Sequence, residues 1–337
     1  MSAYIPPDVP GPPGCWVVVL NYKGADDTLR CVDSLAAVRS DATVLIVDNG
    51  SDDDVLAVVR RRHPWVATLA NGANLGYAGG NNRGLEAALQ RGARQVVLLN
   101  NDTTVSPLLV SRLAAAAQGH PEFGVIGPII SFMEEPDLVR TDGCMFNRAG
   151  KVGFFDRLEV PPAPESEPPA VTEVDIVNGC CMMVSADVVS CIGLIDERFF
   201  LVHEESDFCL RAKRAGFRCG VVADVLVWHK GSSSFARAGN GLQRYFDVRN
   251  LRLLLSKHSE ATPLRRSASA SWLEYLKYAY FVYSIERERG TDSSTRAVVE
   301  GLHDAATRSY GPRAQRRRPL APILRGLLEA KRRLPLG

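Results

Sequence analysis

The chain's 337 residues, 46% hydrophobic and 23% charged, have the balance of an ordinary soluble globular protein, with room for one large α/β domain and an appendage. No apolar run reaches the roughly 18 residues a bilayer-crossing helix needs, and the proline-rich start lacks the basic head and apolar core of a secretion signal, so a cytoplasmic location is expected. Net charge is +2, but eight basic residues and one acidic residue follow Gly311, leaving 32 basic and 37 acidic residues before them, a distribution that argues against nucleic-acid binding.

In chain order, a proline-rich tail (1–14) leads into an apolar strand at 16–20 and a loop at Asn21–Gly24. A helix is predicted over 25–38, with Leu29, Val32 and Leu35 on one side. Then come a strand at 43–48, a helix from near Asp52, a strand at 66–69, a helix over 78–90 and a strand at 95–99. This alternation predicts an α/β fold with a mostly parallel sheet covered by helices on both faces. After Pro128 the rhythm changes, and the Pro/Glu-rich stretch 161–169 reads as an exposed loop or lid. Regular pattern resumes at 174–184, followed by helices at 186–191 and 204–215 and a strand at 219–228. Beyond Ser234 the chain reads as a helical C-terminal extension. The expected division is 1–14, 15–235 and 236–337, and no internal repeat is visible.

Eight cysteines sit mostly in apolar segments without any Cys-x-x-Cys pair, which excludes a structural zinc site and fits a reducing compartment. Cys180 and Cys181 read as packed strand residues rather than a redox couple.

Two apolar runs end abruptly in polar groups: Val44–Val47 in Asp48-Asn49-Gly50-Ser51, and Val96–Leu99 in Asn100-Asn101-Asp102. Ligands of open parallel sheets bind beyond the carboxyl ends of strands, so these ends predict one polar crevice suited to a base and a metal-bound diphosphate. Asp48 can accept the imide N–H of uracil or thymine, or cap the next helix; both readings stay open. The run Asn71–Gly84 carries five glycines and four asparagines, suited to backbone approach to a ligand at a helix start. Asp102 can hold a hard cation shared with phosphate oxygens and water, and His229, ending Val225-Leu-Val-Trp-His, can complete that shell. His203-Glu204-Glu205-Ser206-Asp207 sets three carboxylates after an apolar run, where one can act as general base.

Taken together, VVVLNY, LIVDNGS, NLGYAGGNNRG, LLNND, VNGCCMM, HEESDFCLRAKRAGF, VWHKGSSS and RYFDVRN, spread from about Cys15 to Asn250, resemble the family 2 glycosyltransferases of the GT-A (Rossmann-like) fold, especially their rhamnosyltransferase-like branch. The resemblance implies inverting transfer of a sugar from a nucleoside diphosphate to an acceptor hydroxyl. It places the pyrimidine at Asp48 and Mg²⁺ or Mn²⁺ at Asp102, with His229 on the metal or diphosphate. The donor-lining set expected from these motifs is Asn21, Asp48, Asn49, Asn74, Gly76, Gly79, Asn82, Asn100, Asn101 and Gly179. Glu205 stands where the family usually has Asp, and Asn100 where it has the first Asp of Asp-x-Asp. The base is assigned to Glu205, with Asp207 second and Glu204 supporting. A dTDP-6-deoxysugar such as rhamnose is the first donor expectation and a UDP-sugar the second; the acceptor is a glycan, a lipid-linked glycan or a small metabolite. A noncatalytic nucleotide-sugar scaffold stays open. A nucleotidylyltransferase is disfavoured, because the loop after the first strand is not glycine-rich.

Trp272–Ile285, with six aromatics in fourteen positions, is expected to pack on the catalytic domain or on a second subunit of a homo-oligomer. Arg316–Arg333 alternates basic and apolar groups. It reads either as a solvated helix or as a peripheral contact with the inner, anionic membrane face.

Overall fold

The computed structural model describes Tyr4 and residues 14–134, 139–141, 144–146, 155–157, 168–230, 240–258 and 268–333. The expected lid at 161–169 lies mostly outside these residues, as do nearly all of the proline-rich tail and the Gly231–Ser234 end of the His229 motif.

Strands β1 (Cys15–Asn21), β2 (Thr43–Asp48), β3 (Ala67–Ala70) and β4 (Gln95–Asn100) alternate with helices α1 (Ala25–Leu35), α2 (Val55–Arg62) and α3 (Gly76–Leu89). After β5 (Thr103–Val105) come α4 (Leu109–Gly119), β6 (Phe123–Phe132), β7 (Val139–Thr141), β8 (Cys144–Phe146), β9 (Phe155–Arg157), β10 (Val171–Val174) and β11 (Cys181–Ser185). Helices α5 (Ala186–Ile192) and α6 (Glu204–Arg214) precede β12 (Arg218–His229), and α7 (Asn240–Lys257), α8 (Ala268–Glu288), α9 (Asp292–Ala306) and α10 (Ala321–Arg333) complete the chain.

The main sheet runs β10-β12-β6-β11-β4-β1-β2-β3, with β5 on β12 and β7 on β6. β4, β1, β2 and β3 are mutually parallel, and their runs of Val, Leu and Ile are buried on both faces, as strands under two helical layers require. β11 enters antiparallel between β4 and β6, while β6 and β12 pair parallel, so the sheet is mixed around a parallel nucleus. The α/β class and the added C-terminal helices agree with the sequence reading.

Strand β6 was not anticipated; Gly124, Gly127 and Pro128, residues that normally interrupt strands, lie within it. Side chains at the two glycines would strike neighbours: a Cβ would lie 2.3 Å from Val188 Cγ2 at Gly124 and 2.5 Å from Val177 Cγ1 at Gly127. Pro128 pairs with Val222 just before an irregularity in the β6–β12 register, the kind of place a sheet tolerates a missing N–H. Tyr4 adds a two-bond bridge to Thr68 on β3 (2.9 and 2.8 Å).

The chain divides into two compact units, one holding the sheet and its helices, the other gathering the helices after Ser232 with residues 197–204. Each has its own core. In the first, Val17, Val19, Ile46, Val97 and Leu99 meet Cys31, Leu35, Leu113 and Met183; in the second, Val248, Leu251 and Leu255 meet Tyr275, Tyr283, Val298 and Leu302. Cys180 and Cys181 are buried and packed in the core, and burial pushes the thiols of Cys15 and Cys31 up to about 12, which keeps them un-ionised.

Candidate active site

The parallel register sets the crevice. Asn21 lies opposite Asp48 and Leu20 opposite Asn100, so the ends of β1, β2 and β4 share one edge of the sheet. Asp48 is 8% exposed; its Oδ1 accepts from Asn21 Nδ2 at 2.9 Å and its Oδ2 from the Ser51 N–H at 3.2 Å. It therefore does not cap α2, whose N-cap is Asp54. Asn21 is a buried hub, donating also to Ser51 Oγ (3.0 Å) and accepting from Thr28 Oγ1 (2.8 Å).

Several expected donor contacts have side chains already engaged by the fold. The Asn49 carboxamide donates to Asn74 Oδ1 and the Gly76 carbonyl and accepts from the Leu75 N–H and Asn71 Nδ2 (3.0–3.1 Å). Asn74 Oδ1 also receives the Gly76 N–H at 2.8 Å. Asn82 exchanges two bonds with the Ile195 backbone (2.9 and 3.0 Å), and Asn101 donates to Thr28 Oγ1 (2.9 Å). The run's glycines serve turning and packing. Gly76 starts α3 at φ 73°, and a Cβ on Gly84 would lie 2.3 Å from Val18 Cγ1. Gly79 is buried in the same helix. The Asn49, Asn74 and Asn82 side chains are thus engaged by the fold, while Asn100 is half-buried at the end of β4.

Asp102 and His229 are brought together by strand pairing: β5 lies on β12 with Thr103 opposite His229. His229 Nε2 is 2.9 Å from Asp102 Oδ1, and the pair is 5% and 8% exposed. His229 Nδ1 is buried without a hydrogen-bond partner, and buried polar atoms are seldom left so. One carboxylate and one such imidazole fit a hard cation that takes its remaining ligands from diphosphate and water. Among the described residues no group of three or more His, Cys, Asp and Glu could hold a metal. Beside this pair, Lys230 Nζ lies 3.0 Å from Asp27 Oδ1. Burial opposes the Asp27 charge, but Lys230 and Arg30 outweigh it and hold the carboxyl below its usual range. Sequence reasoning missed Lys230, although it directly follows His229.

The three carboxylates at the start of α6 have different surroundings. Asp207 is fully buried and accepts from Arg211 Nε at 2.8 Å, while Arg211 also binds the Ile192 and Leu194 carbonyls. Glu204 is 5% exposed. Glu205 is half-buried and meets Ser206 Oγ at 3.3 Å. Gly179 connects it to the donor side: the Tyr77 hydroxyl donates to the Gly179 carbonyl, and a Cβ on Gly179 would sit 3.3 Å from Glu205 Cβ.

Polar groups gathered at parallel strand ends, with a half-buried carboxylate beside Gly179, match the arrangement expected from the motifs of a sugar-transferring enzyme of the GT-A type. The family described as "Glycosyltransferase like family 2" matches residues 12–245, and the chain belongs to it. Relatives include the low-salt glycan biosynthesis hexosyltransferase Agl10 of Haloferax volcanii, 27% identical over 88% of this chain and 92% of that protein. The N-acetylglucosaminyl-diphospho-decaprenol L-rhamnosyltransferase of Mycobacterium tuberculosis is 30% identical over 66% of this chain and 77% of its own. The crystal structure of GalNAc-T7 with UDP, GalNAc and Mn²⁺ shares the fold at a TM-score of 0.53 and 13% identity, covering 87% of this chain, which spans 57% of that one. The chain is a glycosyltransferase of the rhamnosyltransferase-like branch.

Proposed function

We propose that this glycosyltransferase inverts configuration, taking a sugar from a pyrimidine nucleoside diphosphate to an acceptor hydroxyl with Glu205 as general base. One observation carries the assignment of the base. Of the three carboxylates opening α6, Asp207 is locked to Arg211 and Glu204 is buried, while Glu205 alone is half-exposed, beside Gly179. Asp48, whose Oδ1 accepts from Asn21 and whose Oδ2 accepts from the Ser51 N–H, offers the second lone pair of Oδ2 to a pyrimidine imide N–H. Glu205 accepts the acceptor proton, the acceptor oxygen bonds to the anomeric carbon from the opposite face, and the carbon–oxygen bond to diphosphate breaks with its electron pair leaving on the diphosphate. When bound by Asp102 and His229, Mg²⁺ or Mn²⁺ would neutralise charge on that leaving group.

The donor we favour is dTDP-rhamnose or a related dTDP-6-deoxysugar, then a UDP-sugar; the mycobacterial relative's name, with its rhamnosyl group and diphospho-decaprenol acceptor, supports the first and a lipid-linked acceptor. No helix of the described residues is long and apolar enough to cross a membrane. Approach to a lipid-linked acceptor therefore falls to α10, which exposes Leu320 at its start, Ile323 and Leu327, with Arg325, Lys331 and Arg332 also exposed. Three of the four arginines between Gly311 and this helix are engaged elsewhere: Arg313 with Glu300, and Arg316 and Arg318 with Asp304. Co-sedimentation with anionic but not neutral liposomes, abolished by Ile323→Ser with Leu327→Ser, is the expected result.

The test of the site is calorimetric titration with dTDP, UDP, GDP and ADP, with and without Mn²⁺. Metal-dependent binding of a pyrimidine diphosphate, lost in Asp102→Ala, is expected. Glu205→Gln is expected to keep that binding and lose at least about 100-fold in transfer rate. Full transfer by Glu205→Gln would move the base elsewhere.

A further inference from the structure

The segment leading into α6 is held in an unusual backbone path. Phe200, Val202 and His203 have φ of 64°, 71° and 72°, the left-handed region that side-chain-bearing residues, and β-branched valine most of all, rarely adopt. Such strain persists only where surrounding structure over-determines it. Here α7 supplies much of that structure, chiefly through the polar pair Arg249 and Asn250.

Asn250 Nδ2 lies 2.8, 2.7 and 2.8 Å from the carbonyls of Phe199, Leu201 and Val202. Arg249 Nη2 donates to the Phe199 and Arg198 carbonyls at 2.8 and 3.2 Å, its Nη1 to the Gly311 carbonyl, and its Nε to Asn250 Oδ1 at 2.8 Å. Both residues are 0% exposed. A guanidinium lying over the Phe246 ring (4.7 Å to the centroid) and bonded to carbonyls is a costly thing to bury for packing alone. Phe200 stacks on Phe246 at 5.5 Å, and His203 Nε2 meets Asp247 Oδ1 at 3.2 Å. Four residues of the motif RYFDVRN, Phe246, Asp247, Arg249 and Asn250, thus grip residues 198–203. Glu204 and Glu205 follow in the next two positions.

We propose that Arg249 and Asn250 are positioning residues for transfer: by fixing three turned-in carbonyls they hold the left-handed path through His203, and so set where α6 begins and where its second residue, Glu205, is aimed. This rests on the reading of Glu205 as base. A carboxylate displaced by about 1 Å loses on the order of 100-fold in rate, whereas the bonds described for Asn21 and Asp48 at the strand ends involve neither Arg249 nor Asn250.

The test uses the full chain carrying Asn250→Ala, with Asn250→Ser as the milder variant that keeps a side-chain donor should the first not fold. Amide hydrogen exchange reads the grip without any substrate: residues 198–206 exchange faster in the variant, while residues 15–105 and calorimetric dTDP binding are unchanged. With dTDP-rhamnose and a short N-acetylglucosaminyl-diphospho-prenol, kcat falls about 100-fold and the donor KM moves less than twofold. The added change Val202→Gly, which makes the left-handed path easy without the grip, restores part of the exchange protection and of kcat. Asn250→Ala combined with Glu205→Gln is no slower than Glu205→Gln alone, because both act through one group. Unchanged exchange at 198–206 in a folded Asn250 variant overturns the proposal. So does an additional loss in the double variant. An active Glu205→Gln overturns the base assignment instead, and the exchange result still decides the grip.

Discussion

Position 179 leaves room for Glu205 by having no side chain. A Cβ there would approach Glu205 Cβ to 3.3 Å and Cγ to 3.4 Å, so the carboxylate would have to shift by a few tenths of an ångström. Gly179→Ala is expected to lower kcat by about tenfold with dTDP affinity unchanged, read by calorimetry beside steady-state rates. Gly84 has a different job, since a Cβ would lie 2.3 Å from Val18 Cγ1 on the central strand. Gly84→Ala should destabilise the sheet unit by about 1–3 kcal/mol in urea unfolding without altering the catalytic carboxylate. The two glycines show what was legible and what was not. The motifs marked both as special, but a sequence run cannot say whether a glycine makes room for a ligand, a base or a neighbouring strand. The asparagines share that ambiguity: Asn49 and Asn82 bind backbone, and only coordinates distinguish a carboxamide that holds a loop from one that holds a substrate.

At the scale of elements, the parallel nucleus was readable because β1, β2 and β4 are apolar on both faces and end abruptly in polar groups. Strand β6 was hidden by residues that normally interrupt strands and that here accommodate tight packing and an irregular register. The same blindness covers long-range polar pairs. Arg112 on α4 donates from Nε and Nη2 to Asp224 Oδ2 on β12 at 3.1 and 3.0 Å, with both residues buried, and nothing in the sequence joins positions so far apart. Arg112→Ala should cost about 3–5 kcal/mol by stranding a buried carboxylate, and Arg112→Met with Asp224→Leu should recover most of it in thermal melts.

Across the whole molecule, each unit carries its own polar anchor as well as its own apolar core. In the helical unit Asp304, 1% exposed, binds Arg318 (2.9 Å), Arg316 (2.9 Å) and the Tyr245 hydroxyl (2.6 Å). Burial opposes its charge, but these donors prevail and hold the carboxyl well below the ordinary aspartate range. A carboxyl depressed on folding stabilises fully above its unfolded value, near 3.9, and the contribution fades as pH falls through the folded one. Melts below about pH 4 should therefore fall more steeply for the wild type than for Asp304→Asn, and equal slopes would remove the anchor from the account.

His229 reaches Asp102 across 127 positions of sequence. On a ribosome, β1 to β4 can emerge and pair well before β12 is made, since chains fold from their beginning as synthesis proceeds. A nascent chain stopped between Val105 and Arg218 would already hold Asp48, which our proposal assigns to the pyrimidine, and lack His229, which it assigns to the diphosphate side. The order of synthesis thus withholds the Asp102–His229 pair until β12 is out.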